Sequence, residues 1–145
     1  MAHTAHAAGT AQVEFVAPAN FSDAGRSSID SDRSLAELAA HFEELARGLP
    51  SGQSLRIQVL DVDLAGEPQQ GLHDLRVLRG MADPPRLHLR WSLHDGTRLV
   101  KSGEDRISDL GYLARGPHWG LVAGPLAYEK RMLRQWFAEQ VAPGR

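Results

Sequence analysis

The chain has 145 residues, which suits one domain of ordinary size, and its 42% hydrophobic residues are enough for a packed core. It contains no cysteine, which excludes disulfides, thiolate zinc sites and thiol nucleophiles. Its formal net charge of −2 argues against a general nucleic-acid binder. No stretch approaches the ~20 apolar residues of a membrane-spanning helix.

The first residues are rich in alanine and histidine. Ala5-His6-Ala7 has the small-x-small form of a signal-peptidase site, although the basic and apolar regions that precede such a site are missing. We expect residues 1–10 to be a disordered tail, a signal remnant or residues added for expression. Residues 11–142 are expected to form a single domain.

The next elements are a short strand and a helix. Over 12–17 one face would carry Val13, Phe15 and Ala17 and the other Gln12, Glu14 and Val16, which predicts a strand. The Ser/Asp/Gly-rich segment after it predicts a loop. Ser34 and Glu37 have the spacing of a capping box, so the helix is predicted to begin there. Gly48 is the expected stop.

The second strand contains a change of parity. Leu55, Ile57 and Val59 are apolar at odd positions, whereas the apolar residues from Leu60 onward stand at even positions. Because side chains alternate faces along a strand, a bulge at Val59-Leu60 would turn the following aspartates toward solvent. A regular strand would bury them.

Three more strands are predicted. Asp74 to Arg79 is one candidate, and 86–93 is the clearest, with one apolar and one polar face. Asp95-Gly96 predicts a hairpin turn to a return strand over about 98–107. A two-residue turn there would set Arg90 opposite Lys101, two like charges, whereas a three-residue turn with a bulge would not.

The chain closes with a long Gly/Pro/aromatic loop over 108–125 and a helix over 126–141. The predicted apolar stripe of this helix is Tyr128, Met132, Leu133, Trp136, Phe137 and Val141, and the residues predicted to face away are Glu129, Lys130, Arg131, Arg134 and Gln135. The order β-α-β-β-β-β-α predicts an α+β fold, with two helices packed on a mainly antiparallel sheet of about four to five strands. The first two strands could pair in parallel through a crossover.

Two groups of residues are candidates for a site. The acidic cluster Asp61, Asp63 and Glu67 offers oxygen ligands for a hard cation, but it lacks the spacing of a twelve-residue calcium loop. We expect arginines or loop amides, rather than a metal, to compensate these acids. A basic and aromatic cluster suited to an anionic or peptide ligand spans the last loop and helix: Tyr112, Arg115, His118, Trp119, Tyr128, Lys130, Arg131 and Arg134. The alternative is that its aromatic residues are core and its bases are a solvated surface.

Several stretches of the chain resemble one bacterial family, known as domain-of-unknown-function family 3016. They are VEFVAPANFSD, LRIQVLDVDLAGE, DLRVLRG, PRLHLRW, SGEDRISD and YEKRMLRQWF, and together they cover nearly all of residues 12–138. The resemblance implies a small secreted or envelope protein made with a signal peptide. It implies no reaction, ligand or catalytic residue.

The sequence therefore favours a binding or protein-interaction module of the bacterial envelope, periplasmic or secreted, with no cofactor and an unidentified protein or envelope component as partner. Signatures of nucleotide-binding loops, serine hydrolases and zinc proteases are absent. The alternative is a metal-dependent hydrolase that uses Asp61, Asp63 and Glu67 with His73 or His88 as its base. A third possibility is a homo-oligomer formed through a sheet edge or the last helix.

Overall fold

In the computed structural model, which describes residues 8–68, 76–78, 82–113 and 125–143, two helices cover one face of a four-stranded sheet. The strands are β1 (Thr10–Phe15), β2 (Gln53–Asp63), β3 (Glu67–Pro68), β4 (Arg76–Val77), β5 (Arg86–Asp95) and β6 (Arg98–Ser108). The helices are α1 (Ser28–Ala46) and α2 (Ala127–Trp136), with a 3-10 turn at Pro18–Asn20 and a π-helical turn at Phe137–Val141. No described helix is both long and apolar enough to span a membrane.

The main sheet has the order β1-β2-β5-β6. β1 pairs with β2 in parallel, and the other two pairs are antiparallel. The predicted α+β fold and the parallel first pair are therefore confirmed. The candidate strand Asp74–Arg79 is confirmed in its described part as the short strand β4, which pairs with β3 and not with the main sheet.

Of the two alternatives for β2, a regular strand or a bulge, the structure has the bulge. The register with β5 shifts between Val59, which lies opposite Leu89, and Asp61, which lies opposite His88. Leu60 is the extra residue, and Val62 is thereby returned to the buried face. The bulge explains how an apolar run of changing parity keeps one apolar face.

The register of the β5–β6 hairpin keeps Arg90 and Lys101 from lying opposite each other. Asp95 pairs with Arg98, so the two-residue turn is Gly96-Thr97 and not the predicted Asp95-Gly96, and the register shifts again between Leu93 and His94. As a result Arg90 lies opposite Glu104 and not opposite Lys101. The strand pair gains a salt bridge, with 3.4 Å between Arg90 Nε and Glu104 Oε1.

Both helices differ from their predicted outlines. α1 begins at Ser28, with the Ser27 hydroxyl accepting a hydrogen bond from the Asp30 amide at 3.1 Å, so the capping box predicted at Ser34 is wrong. On α2 the predicted outward orientation of Glu129 and Arg131 is also wrong, because their side chains are only 3% and 5% exposed. Each is buried against a loop that packs on the helix, which helical periodicity cannot reveal.

The carboxylate of Asp105 on β6 accepts hydrogen bonds from two core tryptophans and so holds β6 against the core. The indole N–H groups of Trp91 on β5 and Trp136 on α2 both donate to Asp105 Oδ2, each at 2.9 Å. The two rings meet edge to face, 5.9 Å between centroids, and Trp136 meets Phe42 of α1 in the same way at 6.2 Å. One acceptor therefore satisfies two buried donors and orders the aromatic core.

Replacing Asp105 with alanine should lower the free energy of unfolding by about 2–4 kcal/mol, because two buried indole N–H groups lose their acceptor. Asp105→Asn is the matched control, since its amide oxygen can accept both bonds, and it should cost less than half as much. Urea unfolding followed by tryptophan fluorescence measures both values. Equal losses in the two variants would show that the charge, and not the acceptor, is what matters.

Candidate functional site

The acidic stretch that follows the bulge organises a loop. Asp61 accepts hydrogen bonds from the amide of Ser22 at Oδ1 and from its hydroxyl at Oδ2, both at 2.7 Å. Because both carboxylate oxygens are occupied, this aspartate serves to hold the loop before α1 against β2. The charge of Asp61 is thus compensated by a loop amide and a hydroxyl. Of the two expected partners, arginines or loop amides, the structure has the loop amide.

Asp63 and Asp23 lie side by side at the end of β2. The backbone of Asp23 joins the strand end, with its amide donating to the Val62 carbonyl and its carbonyl accepting from the Leu64 amide, both at 2.9 Å. Burial and the neighbouring Asp23 carboxyl raise the pKa of Asp63. Of the two arginines nearby, Arg76 pairs with Asp23, and Arg86 lies opposite Asp63 on β5.

Arg76 also closes the loop that follows β2. Its guanidinium donates to the carbonyl oxygens of Ala65 at 2.7 Å and Gly66 at 2.9 Å. The backbone amide of the same residue, Ala65, donates to Glu129 Oε2 at 2.7 Å. Gly66 has φ +76°, and a Cβ there would stand 2.6 Å from the Val77 carbonyl oxygen, so no larger residue fits. The loop is thus fixed by α2 and β4 together.

This geometry gives the acidic cluster a structural use. Asp61 binds Ser22, and Arg76 binds Asp23, while the side chain of Glu67 lies outside the described residues. Among the described residues no three histidine or acidic side chains come together as metal ligands. The hydrolase alternative gains no support from this geometry, and the metal site that includes Glu67 stays a prediction.

Part of the predicted basic and aromatic cluster is turned inward. Tyr112 is fully buried and meets Tyr128 edge to face, 4.8 Å between ring centroids. Arg131 lies over the Tyr128 ring at 5.5 Å and donates to the Tyr112 carbonyl at 2.7 Å. Its guanidinium forms an ion pair with the buried Asp109, with 3.5 Å between Arg131 Nη2 and Asp109 Oδ2. These contacts tie the segment after β6 to α2.

The remaining members of that cluster are spread out. Lys130 joins the two helices, since its Nζ lies 2.8 Å from Glu37 Oε1 and its carbonyl lies 3.0 Å from His41 Nε2. Burial lowers the pKa of His41, so the neutral ring is favoured. Arg134 is exposed on α2. Arg115, His118 and Trp119 lie outside the described residues, so ligand binding by this cluster stays a prediction.

The outer face of the sheet, opposite the helices, carries a hydrogen-bonded chain of side chains. We call this the bonded row; from β1 to β6 it consists of Glu14, Gln58, Arg90 and Glu104. Gln58 donates to Glu14 at 3.1 Å and accepts from Arg90 at 3.4 Å. At the far end His88 Nε2 lies 2.8 Å from Glu104, and the bonds from His88 and then Arg90 lower the pKa of Glu104.

A second row lies beside it and is unbonded. This open row consists of Gln12, Arg56, Ser92 and Ser102, again one residue from each strand. None of these side chains has a hydrogen-bond or ion-pair partner within the described part of the chain. The two rows line a trough of about 740 Å³, with His94 and Leu99 beyond the open row. The His94 Nδ1 atom is buried without a partner in the described residues.

The comparisons with known proteins decide the family. The model of the family DUF3016, described as a protein of unknown function, matches residues 9–139. The chain belongs to this family. No curated protein and no solved structure matches the chain. The resemblance seen in the sequence is therefore confirmed.

The two stretches that most resemble DUF3016 meet in space. Ala65 belongs to DVDLAGE and Glu129 to YEKRML, and the bond between them joins the end of β2 to the first turn of α2. Sequence reasoning placed Glu129 on the solvent side and did not single out Arg76. It also missed the open row, although the alternating pattern of β5 indicated a polar outer face. The pattern of one strand does not show which polar side chains of the outer face bond to one another.

Removing the Glu129 acceptor should destabilise the domain. Glu129→Leu leaves the Ala65 amide buried without a partner and should lower the free energy of unfolding by about 1–3 kcal/mol. Glu129→Gln keeps an oxygen that can accept this bond and should retain most of the stability. Chemical unfolding of both variants makes the comparison, and an equally large loss in both would contradict the role of the hydrogen bond.

The Glu129→Gln variant also predicts a pH dependence. Burial raises the pKa of Glu129 above its ordinary 4.5, so the folded state holds this proton more tightly than the unfolded chain does. Stability of the parent protein should therefore fall relative to Glu129→Gln as the pH rises through 4.5 toward the raised folded value. Unfolding measured over this pH range tests the sign; a difference that stays constant, or shrinks with rising pH, would refute it.

Proposed function

We propose that the domain is a non-catalytic binding module of the bacterial envelope and that its ligand lies in the trough on the outer face of the sheet. The observation that carries this proposal is the open row. Four polar side chains, one from each strand, line the trough without a partner in the described residues, beside a row whose members already bond to one another. Polar groups that are free and fixed on rigid strands suit recognition.

The trough supports this proposal better than the basic and aromatic cluster does. In that cluster Tyr112 and Arg131 are buried, and they contact α2 and the segment after β6. A ligand would have to displace these contacts to reach them. The open row needs no rearrangement, because Arg56 and Ser102 are already exposed on regular strands.

The envelope location rests on two sequence features. Membership of DUF3016 accords with it, because the resemblance implies secreted or envelope proteins, and Ala5-His6-Ala7 has the form of a cleavage site. Fractionation of the native organism, with the protein followed by antibody, tests the location. Recovery with cytoplasmic markers alone would overturn it.

A photo-reactive amino acid tests the binding face. It is placed at Ser102 in the trough and, as a matched control, at the exposed Glu43 on α1, away from the outer face. After irradiation in the native envelope, we expect adducts from the Ser102 position that the Glu43 position does not give. Mass spectrometry identifies what is attached.

Two outcomes would contradict the proposal. Equal adducts from both positions would mean that the outer face has no preference as a binding surface. Adducts that contain only a second copy of this chain would replace ligand binding with self-association, and light scattering would then give the oligomeric state.

A further inference from the structure

We infer that the trough binds an acidic polysaccharide, with Arg56 holding a carboxylate carried by the sugar chain. This inference rests on the proposed function and names the ligand class for the same trough. Its three supports are the unpaired charge of Arg56, the chemistry of the other lining groups and the extent of the trough across the sheet.

Arg56 is the one charged side chain lining the trough that lacks a partner in the described part of the chain. Glu14 is bonded to Gln58, and Arg90 and Glu104 are bonded to each other. Arg56 stands exposed on the inner strand β2, with Gln12 opposite on β1 and Ser92 opposite on β5. A guanidinium flanked by neutral hydrogen-bonding groups is suited to a bidentate carboxylate.

The other groups favour hydroxyls over a protein surface. The side chains of the two rows are amides, hydroxyls, arginines and glutamates, and none is aromatic. An exposed apolar side chain, Leu99, lines the trough beyond the open row. Protein interfaces take most of their affinity from buried aromatic and apolar anchors, which these rows do not supply. Sugar hydroxyls both donate and accept, so they match a surface that offers both kinds of group.

The charge balance of the trough excludes a dense polyanion as the preferred ligand. Two arginines, Arg56 and Arg90, are matched by two glutamates, Glu14 and Glu104. A nucleic acid would need an excess of cations for its phosphates and aromatic platforms for its bases. A sugar chain with occasional carboxylates requires one free cation beside many neutral contacts, which is what the open row provides.

The trough is also long in the direction a chain would take. It collects residues from all four strands, so a ligand that follows the open row crosses the sheet from β1 to β6. With neighbouring strands about 4.8 Å apart, this path is about 14 Å long. That length exceeds one sugar ring and accommodates a short run of them.

Isothermal titration calorimetry with two matched glycans tests the inference. The probes are an oligogalacturonate in which most carboxylates are methyl esters, so that only occasional sugars carry a charge, and the same oligomer after its remaining free carboxylates have been reduced to alcohols. We expect the intact protein to bind oligogalacturonate at least about tenfold more tightly than the reduced form, because only the first offers Arg56 a charge-assisted pair.

A pair of arginine variants locates the effect. Arg56→Gln should weaken oligogalacturonate binding by about tenfold, whereas Arg106→Gln should change it by less than about twofold. Arg106 is the matched control, since it is exposed on the same face, has no partner in the described residues and lies outside the trough. Amide NMR shifts on titration should move at Arg56, Ser92 and Ser102, which reports the binding position independently.

The results that would overturn the inference are distinct from those that would overturn the proposed function. Three results would rule out an acidic polysaccharide as the ligand. They are equally weakened glycan binding in both arginine variants, equal affinity for the charged and the reduced glycan, and no binding of either glycan. Tighter binding of an oligoglutamate peptide with the same number of carboxylates would make the ligand a peptide. Crosslinking from Ser102 would still decide whether the outer face is a binding surface at all.

Discussion

Ala65 is the point at which separate segments of the chain are held together, because its amide and its carbonyl are both hydrogen-bonded to side chains of other elements. The buried Glu129 of α2 accepts a hydrogen bond from its amide, and Arg76 of β4 donates one to its carbonyl. Arg76 then reaches Asp23, which is hydrogen-bonded to the end of β2. The last helix, the loop before α1 and the small sheet are therefore positioned by one partly buried polar network, and a network whose members are satisfied is rigid.

Local patterns in the sequence carried most of the architecture. The alternation of β5 predicted both faces of the sheet, and the change of parity at Leu60 indicated a bulge as one of two alternatives, because each pattern depends on neighbouring residues only. The start of α1 could not be read in the same way. Ser27 and Ser34 both precede plausible helical segments, and the choice between them depends on how the preceding loop packs against the strand.

The candidate site was harder to predict because it is made by pairing between distant strands. Arg56 and Ser92 are neighbours only in the register of β2 with β5, and neither forms a motif in the sequence. The buried acid Glu129 was hidden for a related reason, since its partner Ala65 lies 64 residues away. Periodicity can tell an apolar side of a helix from a polar one, but it does not show that a distant loop covers the polar side.

The bulge at Leu60 also bears on how the length of this chain can change. Within a regular strand, the loss of one codon would carry every later side chain to the opposite face of the sheet. At Leu60 the opposite holds, since the residue has no cross-strand partner and its removal would leave Asp61 opposite His88 and Val62 opposite Leu87, as they are now. The bulge thus makes Leu60 the position in β2 where a one-residue deletion would leave each side chain of the strand on its present face of the sheet.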